Sequence, residues 1–309
     1  MVELYKKYRP ISFKEVVGQD AALRPLIELG RKNALPHAIL LTGPSGTGKT
    51  TVARILRNKL KCSDMDFSEV NAAQERGIDL VRSIERRASL RPIDGECRIW
   101  LCDESHAMTS SAQGAFLKLL EDTPPHVYFF LATTDPQKLL ATIRTRCTRI
   151  DLKPLKASEM IGLLKRVVEA EETTVAEDVL DKIVEYSDGS ARKALVLLNQ
   201  VIGMEDEEKA LAAVSASVGE AQGIELARLL IKPRVRWPEV AAKLKELKTA
   251  EEDPEGLRYL ILAYCNTVLL GGGALAKTAH QVMVCFERNF WDTKWAGLSI
   301  ACWDAVCGE

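Results

Sequence analysis

No two of the eight cysteines stand as a C-x-x-C pair, so the chain offers no ligand framework for a structural zinc site. Buried, reduced thiols are the simpler reading. No stretch approaches the roughly 18 uncharged apolar residues that a membrane span needs. The opening segment, MVELYKKYRPISF, is charged and has no apolar run after it, so no secretion signal is expected. These absences leave a cytoplasmic protein as the expectation, or a nuclear one if the source is eukaryotic. Internal repeats and long low-complexity tails are also missing, and nothing resembles an aromatic platform for stacking bases.

A net charge of −1 shows no excess of either sign, yet it conceals an asymmetry. Residues 1–156 hold 25 Lys and Arg against 18 Asp and Glu, and the remainder hold 17 against 25. A basic front half is compatible with a nucleic-acid face at one end, although solvated helices produce the same imbalance. The 309 residues, 47% hydrophobic and 28% charged, fit a soluble globular chain of two or three domains.

Short apolar runs at 38–42 (AILLT), 98–102 (RIWLC) and 127–132 (VYFFLA) read as buried strands. Helical patterns at 49–60, 78–90 and 110–121 separate them, and this alternation implies a parallel sheet covered on both faces. After about Pro154 the strand signal stops. Amphipathic helices follow over 157–203, the stretches 205–208 and 213–219 read as helix ends and connections, and a last helical block runs from about 220. Pro233, Pro238, Pro254 and Gly271–Gly273 interrupt that block.

The strongest motif is GPSGTGKT at 43–50, which fits G-x-x-x-x-G-K-[ST] and lies between an expected strand and an expected helix. Gly43, Pro44, Ser45, Gly46, Thr47 and Gly48 let the backbone curl with its N–H groups around an anion, and a helix N-terminus stands behind them. Lys49 can reach the β- and γ-phosphates, Thr50 can ligate Mg²⁺, and Thr51 continues the first helical turn. ATP with Mg²⁺ is therefore the expected ligand. Asp103 and Glu104 close the second apolar run. At the carboxyl edge of a parallel sheet, Asp103 would hold Mg²⁺ through its water shell and Glu104 would polarise the attacking water. Paired acids also cap helices in many α/β proteins, and it is the glycine loop upstream that favours the catalytic roles.

Beyond these motifs the chain resembles a known family. Tyr8-Arg9-Pro10 and VVGQ at 16–19 resemble the leading segment of clamp-loader ATPases, which lies against the adenine; Arg9, Pro10 and Val17 are thereby nucleotide contacts. NAAQERGIDLVR at 71–82 is similar to a stretch of replication factor C small subunits. LATTDPQK at 131–138, RCTR at 146–149 and GSARKALVLLNQ at 189–200 resemble the bacterial DNA polymerase III gamma subunit. The resemblance runs collinearly over about residues 4–203. It implies an α/β fold of the AAA+ P-loop type with a parallel sheet at 1–154, a helical lid at 155–216 and an all-helical collar at 217–309. It also implies an ATP-driven motor subunit of a sliding-clamp loader. The partners would be a sliding clamp, primer–template DNA and other loader subunits in a ring expected to be pentameric, with no membrane.

By the same resemblance Thr134 takes the sensor-1 place, Arg192 the sensor-2 place on the lid, and Arg146 that of a finger reaching the neighbouring subunit's ATP. Thr145 replaces the family's usual serine before that finger. Bacterial gamma subunits carry a cysteine-rich zinc insert after the P-loop helix, where this chain has only Cys62. That difference points to the replication factor C-like or viral form. Arg82, Arg86 and Arg87, with Thr109, Ser110 and Ser111 at a helix start, are candidates for DNA phosphates, and a solvated helix face is the alternative. Leu90 is a candidate clamp anchor or a core residue. Trp291, Trp295 and Trp303 belong to a ring interface or to a core, the first two being spaced for one helical face. Two other readings remain: an AAA+ ATPase acting on DNA junctions or stalled forks, and a non-hydrolysing ring subunit. Retention of Lys49, Thr50, Asp103 and Glu104 weighs against the latter.

Overall fold

The three apolar runs form the middle of a five-stranded parallel sheet in a computed structural model that describes residues 3–204, 206–250 and 252–308, with backbone only at 216–220. The chain divides into two compact units, 1–205 and 206–309. The first unit begins with a short helix α1 (Leu4–Lys7) and helix α2 (Asp20–Arg31), followed by β1 (Ala38–Thr42) and α3 (Lys49–Lys59). Then come β2 (Phe67–Asn71), α4 (Ile78–Ala88), β3 (Arg98–Asp103), α5 (Ser110–Glu121), β4 (Val127–Thr133), α6 (Ala141–Arg146) and β5 (Thr148–Asp151). Helices α7 (Ala157–Ala170), α8 (Glu177–Ser187) and α9 (Ala191–Val201) complete it.

The strand order is β2-β3-β4-β1-β5. Because successive strand residues point to opposite faces, β1 sends Ile39 and Leu41 to one core and Leu40 to the other. The first core is closed by α2 and α3 through residues such as Leu26, Val52 and Leu56, and the second by α4 and α5 through Ile84 and Phe116. Pairing aligns Thr42 with Thr133 and Asn71 with Asp103, so the carboxyl ends of the strands share one edge.

The second unit is entirely helical among its described residues: α10 (Glu207–Leu230), α11 (Trp237–Thr249), α12 (Pro254–Leu270), α13 (Ala276–Cys285) and α14 (Lys294–Cys307). Its core gathers Leu230, Val240, Leu247, Ile261, Phe286 and Leu298. Among the described residues no helix is long and apolar enough to cross a membrane.

Two local readings need correction. Residues 213–219 are not a connection but the middle of α10, whose N-terminus is capped by Asp206 accepting from the Lys209 amide at 3.1 Å. The sequence AVSASVG contains no proline, and the two alanines favour a helix enough for the single glycine of this stretch to be tolerated. Trp291 and Trp295 do not share a helical face, because α14 starts at Lys294 and Trp291 lies in the turn before it.

Beside the sheet's β2 edge, Asp66 is buried against Arg98 at 3.1 Å. Burial alone would raise the Asp66 pKa. Hydrogen bonds from the Asp94, Ile93 and Gly95 amides and the Ser63 hydroxyl more than offset it, holding the carboxyl well below the usual range. Removing one partner of such a pair leaves a buried charge unpaired. Asp66→Ala should therefore lower the unfolding free energy at pH 7 by about 3–5 kcal/mol. A depressed folded-state pKa contributes stability above the unfolded value and loses it on acidification, so the gap to wild type should close only below about pH 4. Urea unfolding at several pH values measures it; a gap below about 1 kcal/mol at pH 7, within the range of an exposed pair, contradicts the assignment.

Candidate nucleotide-binding and hydrolysis site

The loop after β1 turns through three glycines of positive φ, Gly43 (141°), Gly46 (78°) and Gly48 (101°), before α3 begins at Lys49. At Gly46 the requirement is twofold. Its backbone is left-handed, and a Cβ there would overlap the Ser190 hydroxyl at the start of α9. Ser190 also caps that helix, accepting from the Lys193 amide at 3.3 Å.

Lys49 is only 6% exposed, and its ammonium donates to the carbonyls of Gly43 (2.7 Å) and Pro44 (2.8 Å). Burial lowers its pKa, while the charges of Glu104 and Asp103 act to raise it and that of Arg192 to lower it. Thr50 donates its hydroxyl to Asp103 Oδ2 at 3.2 Å, and the Glu104 amide donates to Asp103 Oδ1 at 3.0 Å. A hydroxyl and a carboxylate are hard oxygen donors, the set with which Mg²⁺ is held alongside water and phosphate, so these two residues fit that ion. Among the described residues no cluster of three or more His, Cys, Asp or Glu is arranged for a metal.

These groups line a cleft of about 440 Å³. Residues 45–51 form its floor, Asp103 and Glu104 one side, and Arg192 another. Arg9, Pro10 and Val17 line it too, as the leading segment requires. Apolar walls come from Ile11, Val16, Leu163, Val167 and Leu195, suited to the flat face of a base. Burial lowers the Arg9 pKa, and the nearby Arg54 and Arg192 lower it further; Arg9, Arg166 and Arg192 line the cleft itself. The leading segment is tied to the end of α7: Tyr8 Oη and Lys7 Nζ both donate to Glu171, at 2.6 and 2.7 Å. That tie was not read from the sequence, and nothing in spacing links residues more than 160 positions apart.

The other expected residues lie outside the cleft. Thr134 stands beside it, its hydroxyl 3.5 Å from Glu104 Oε2. Arg146, at the end of α6, is ion-paired with Glu121 and donates to the Thr142 carbonyl at 3.2 Å. Arg82, Arg86 and Arg87 are exposed on α4, and Ser110 and Ser111 are exposed at the start of α5. The Thr109 amide donates to the Arg76 carbonyl at 3.0 Å, which brings the beginnings of those two helices together. Leu90 is on the surface, 58% exposed, and borders a second hollow of about 280 Å³ with Met65, Ile93 and Trp100. Trp303 packs edge-on against Trp237 at 4.8 Å, and Trp291 is exposed.

Three comparisons bear on this geometry. The profile of the family described as DNA polymerase III, delta subunit, matches residues 63–156, and that of the sigma-54 interaction domain matches 16–83. The DNA polymerase III subunit tau of Bacillus subtilis is 32% identical over 292 residues, covering 86% of this chain and 51% of that one. The gamma/tau subunit of Mycobacterium tuberculosis is 36% identical over 225 residues, covering 64% and 38%. The chain thus spans about half the length, or less, of these relatives. Among solved structures, the Thermotoga maritima RuvB Holliday junction branch migration motor superposes with a TM-score of 0.59 at 20% identity, covering 77% of this chain and 85% of that one. That likeness shows the fold alone, an α/β domain with a parallel sheet followed by helices. The relatives named are bacterial, so the replication factor C-like or viral form suggested by the missing zinc insert finds no support among them.

Because Lys49 is a pre-positioned cation in a covered site, Lys49→Ala should weaken ATP binding by roughly 10- to 100-fold, the worth of one or two charge-assisted hydrogen bonds, with the fold intact. Titration with a fluorescent ATP analogue measures it, and unchanged affinity would remove the phosphate-binding role of the loop.

Proposed function

From the premise that the chain is a homologue of the DNA polymerase III tau and gamma/tau subunits, which are clamp-loader AAA+ ATPases, we propose that it is an ATP-hydrolysing motor subunit of a sliding-clamp loader. The observation that carries this reading is the cleft, where the glycine loop, Asp103, Glu104 and Arg192 converge while Arg146 stays outside. Residues 45–50 hold the phosphates, with Lys49 against the β- and γ-groups. Thr50 and Asp103 hold Mg²⁺, which when bound shields phosphate charge. Glu104 takes up the proton of the attacking water as the γ-phosphoryl leaves, Thr134 helps place that water, and Arg192 closes on the phosphates from the lid. The lid role falls to α7–α9 and the collar role to the C-terminal unit, whose exposed Tyr259 and Ile300, with Trp291 in the turn before α14, suit contact with neighbouring subunits.

Primer–template DNA would meet Arg82, Arg86, Arg87, Ser110 and Ser111 through its phosphates. The sliding clamp would meet Leu90 and Ile93 beside the smaller hollow. A bacterial cytoplasmic setting goes with the relatives; a nuclear or viral one has no support from them. A junction-directed motor is the second reading. The RuvB likeness favours it at the level of fold alone, whereas the tau and gamma/tau relatives are more similar in sequence.

Contacts to phosphate alone predict DNA affinity that falls steeply with salt and is indifferent to base sequence. Fluorescence anisotropy on primed duplexes at 50 and 200 mM salt tests this, and a strong preference for one sequence would count against it.

The shared-site reading is tested by complementation. Arg146→Ala should bind ATP normally as a single subunit yet lose most DNA-stimulated turnover in the assembled ring, an effect of about 10³–10⁵ in finger systems. Mixed with Lys49→Ala subunits, it should recover activity at interfaces that pair an intact loop with an intact Arg146. Mixed rings of verified composition that stay inactive, or normal hydrolysis by Arg146→Ala rings, would return Arg146 to a surface ion pair with Glu121.

A further inference from the structure

Glu104 has a neighbour that the assignment above does not use. A single 3₁₀ turn, residues 105–107, follows Glu104, and it brings His106 Nδ1 to 3.3 Å from Glu104 Oε2 and 3.0 Å from Thr133 Oγ1. The turn is pinned to the sheet. The fully buried Ser105 donates its hydroxyl to the Ala132 carbonyl at 3.0 Å, and the Ala107 amide donates to the Glu104 carbonyl at 2.8 Å. Thr133 is buried as well and accepts from the Asp135 amide at 3.0 Å, so its oxygen is fixed independently of His106.

An ionised carboxylate can only accept hydrogen bonds, so of the two neutral tautomers the Nδ1–H form suits the Glu104 oxygen, while the Thr133 hydroxyl can pair with either. With the proton on Nδ1, the hydrogen bond to Thr133 Oγ1 places it beside the Glu104 carboxylate. Thr134 donates to the same carboxylate oxygen, Oε2, at a longer 3.5 Å. Among the described residues no hydrogen-bond partner meets Oε1. One oxygen of Glu104 is thus held and the other left for water. His106 itself does not line the cleft, so it reaches the reaction through Glu104 alone.

We propose that His106 is a positioning residue for ATP hydrolysis: its Nδ1–H, backed by Thr133, orients the Glu104 carboxylate towards the attacking water. The inference rests on the reading of Glu104 as the water-polarising residue. Nucleotide binding does not depend on it, because the phosphate-holding groups belong to other elements.

The test is steady-state ATPase of the full chain with primed DNA, beside nucleotide affinity, for wild type, Glu104→Gln, and His106→Ala, Asn and Gln. His106→Ala should lower kcat roughly 10- to 100-fold, the usual cost of losing an orienting partner, with KM and nucleotide affinity within about twofold. The Asn amide sits where Nδ1 sits and that of Gln where Nε2 sits, so His106→Asn should recover most of the turnover and His106→Gln little. In a Glu104→Gln background His106→Ala should cost nothing further. Wild-type kcat in His106→Ala, equal recovery by Asn and Gln, or a raised KM at unchanged kcat would overturn the inference while leaving the hydrolysis reading intact. If wild type does not hydrolyse ATP, or Glu104→Gln turns over normally, the hydrolysis reading falls and the inference with it. Should His106→Ala fail to fold, the contrast between Asn and Gln decides.

Discussion

The ammonium of Lys49 sits where water scarcely reaches it, and the nucleotide cleft is organised around tolerating that charge. A buried cation without partners costs several kcal/mol. Two loop carbonyls, of Gly43 and Pro44, accept hydrogen bonds from it, and they face inward because the glycine backbone can turn there. Asp103 and Glu104 supply opposing charge from the end of β3, while Arg192 adds charge of the same sign. Arg9 is likewise disfavoured as a cation, first by burial and then by the nearby Arg54 and Arg192. A polyphosphate reverses that balance. The burial that lowers the Lys49 and Arg9 pKa values is offset once the negative charge of a ligand faces both groups.

How much of this was legible in the sequence depended on where each element buries its side chains. The central strands β1, β3 and β4 are covered on both faces and read as plain apolar runs. Strands β2 and β5 escaped notice because they are edge strands. Phe67–Asn71 is only partly covered and includes Ser68 and Glu69, and Thr148–Asp151 carries Arg149 and Asp151 to the surface. Helices α3, α4 and α5 fell within two residues of expectation, since each has a periodic apolar face. The site divides along the same line. The glycine loop and the acidic pair are contiguous in sequence and could be read there. His106 against Thr133, Ser190 against Gly46 and Glu171 against Tyr8 are contacts between segments that only folding brings together.

Arg146 illustrates what a single chain can and cannot complete. Its position at the end of α6 is set by Ile143, which packs into the core beneath it, while the guanidinium extends outward to Glu121. An exposed ion pair of this kind is worth at most about 1 kcal/mol. Such a contact holds the side chain lightly in the isolated chain and leaves little to overcome when a stronger anion is offered. The acidic partner that satisfies Arg146 here is therefore compatible with release to a phosphate elsewhere.

A second recurring device concerns the surfaces rather than the cleft. In the first unit the buried Asp66–Arg98 pair accepts from the amides of residues 93–95 and donates to the carbonyls of Arg87 and Arg91. In the second unit Glu255, buried against Arg258, accepts from the Phe290 amide at 2.7 Å, and Arg258 donates to the Phe286 carbonyl at 3.1 Å. Each pair also hydrogen-bonds neighbouring backbone, and the adjoining loop presents exposed apolar side chains, Leu90 and Ile93 in one case and Trp291 in the other. Buried ion pairs add little net stability compared with apolar packing. Their effect here is to fix the loops, so that the apolar groups facing solvent are held in one place and would lose little entropy on contact with the partners proposed for them.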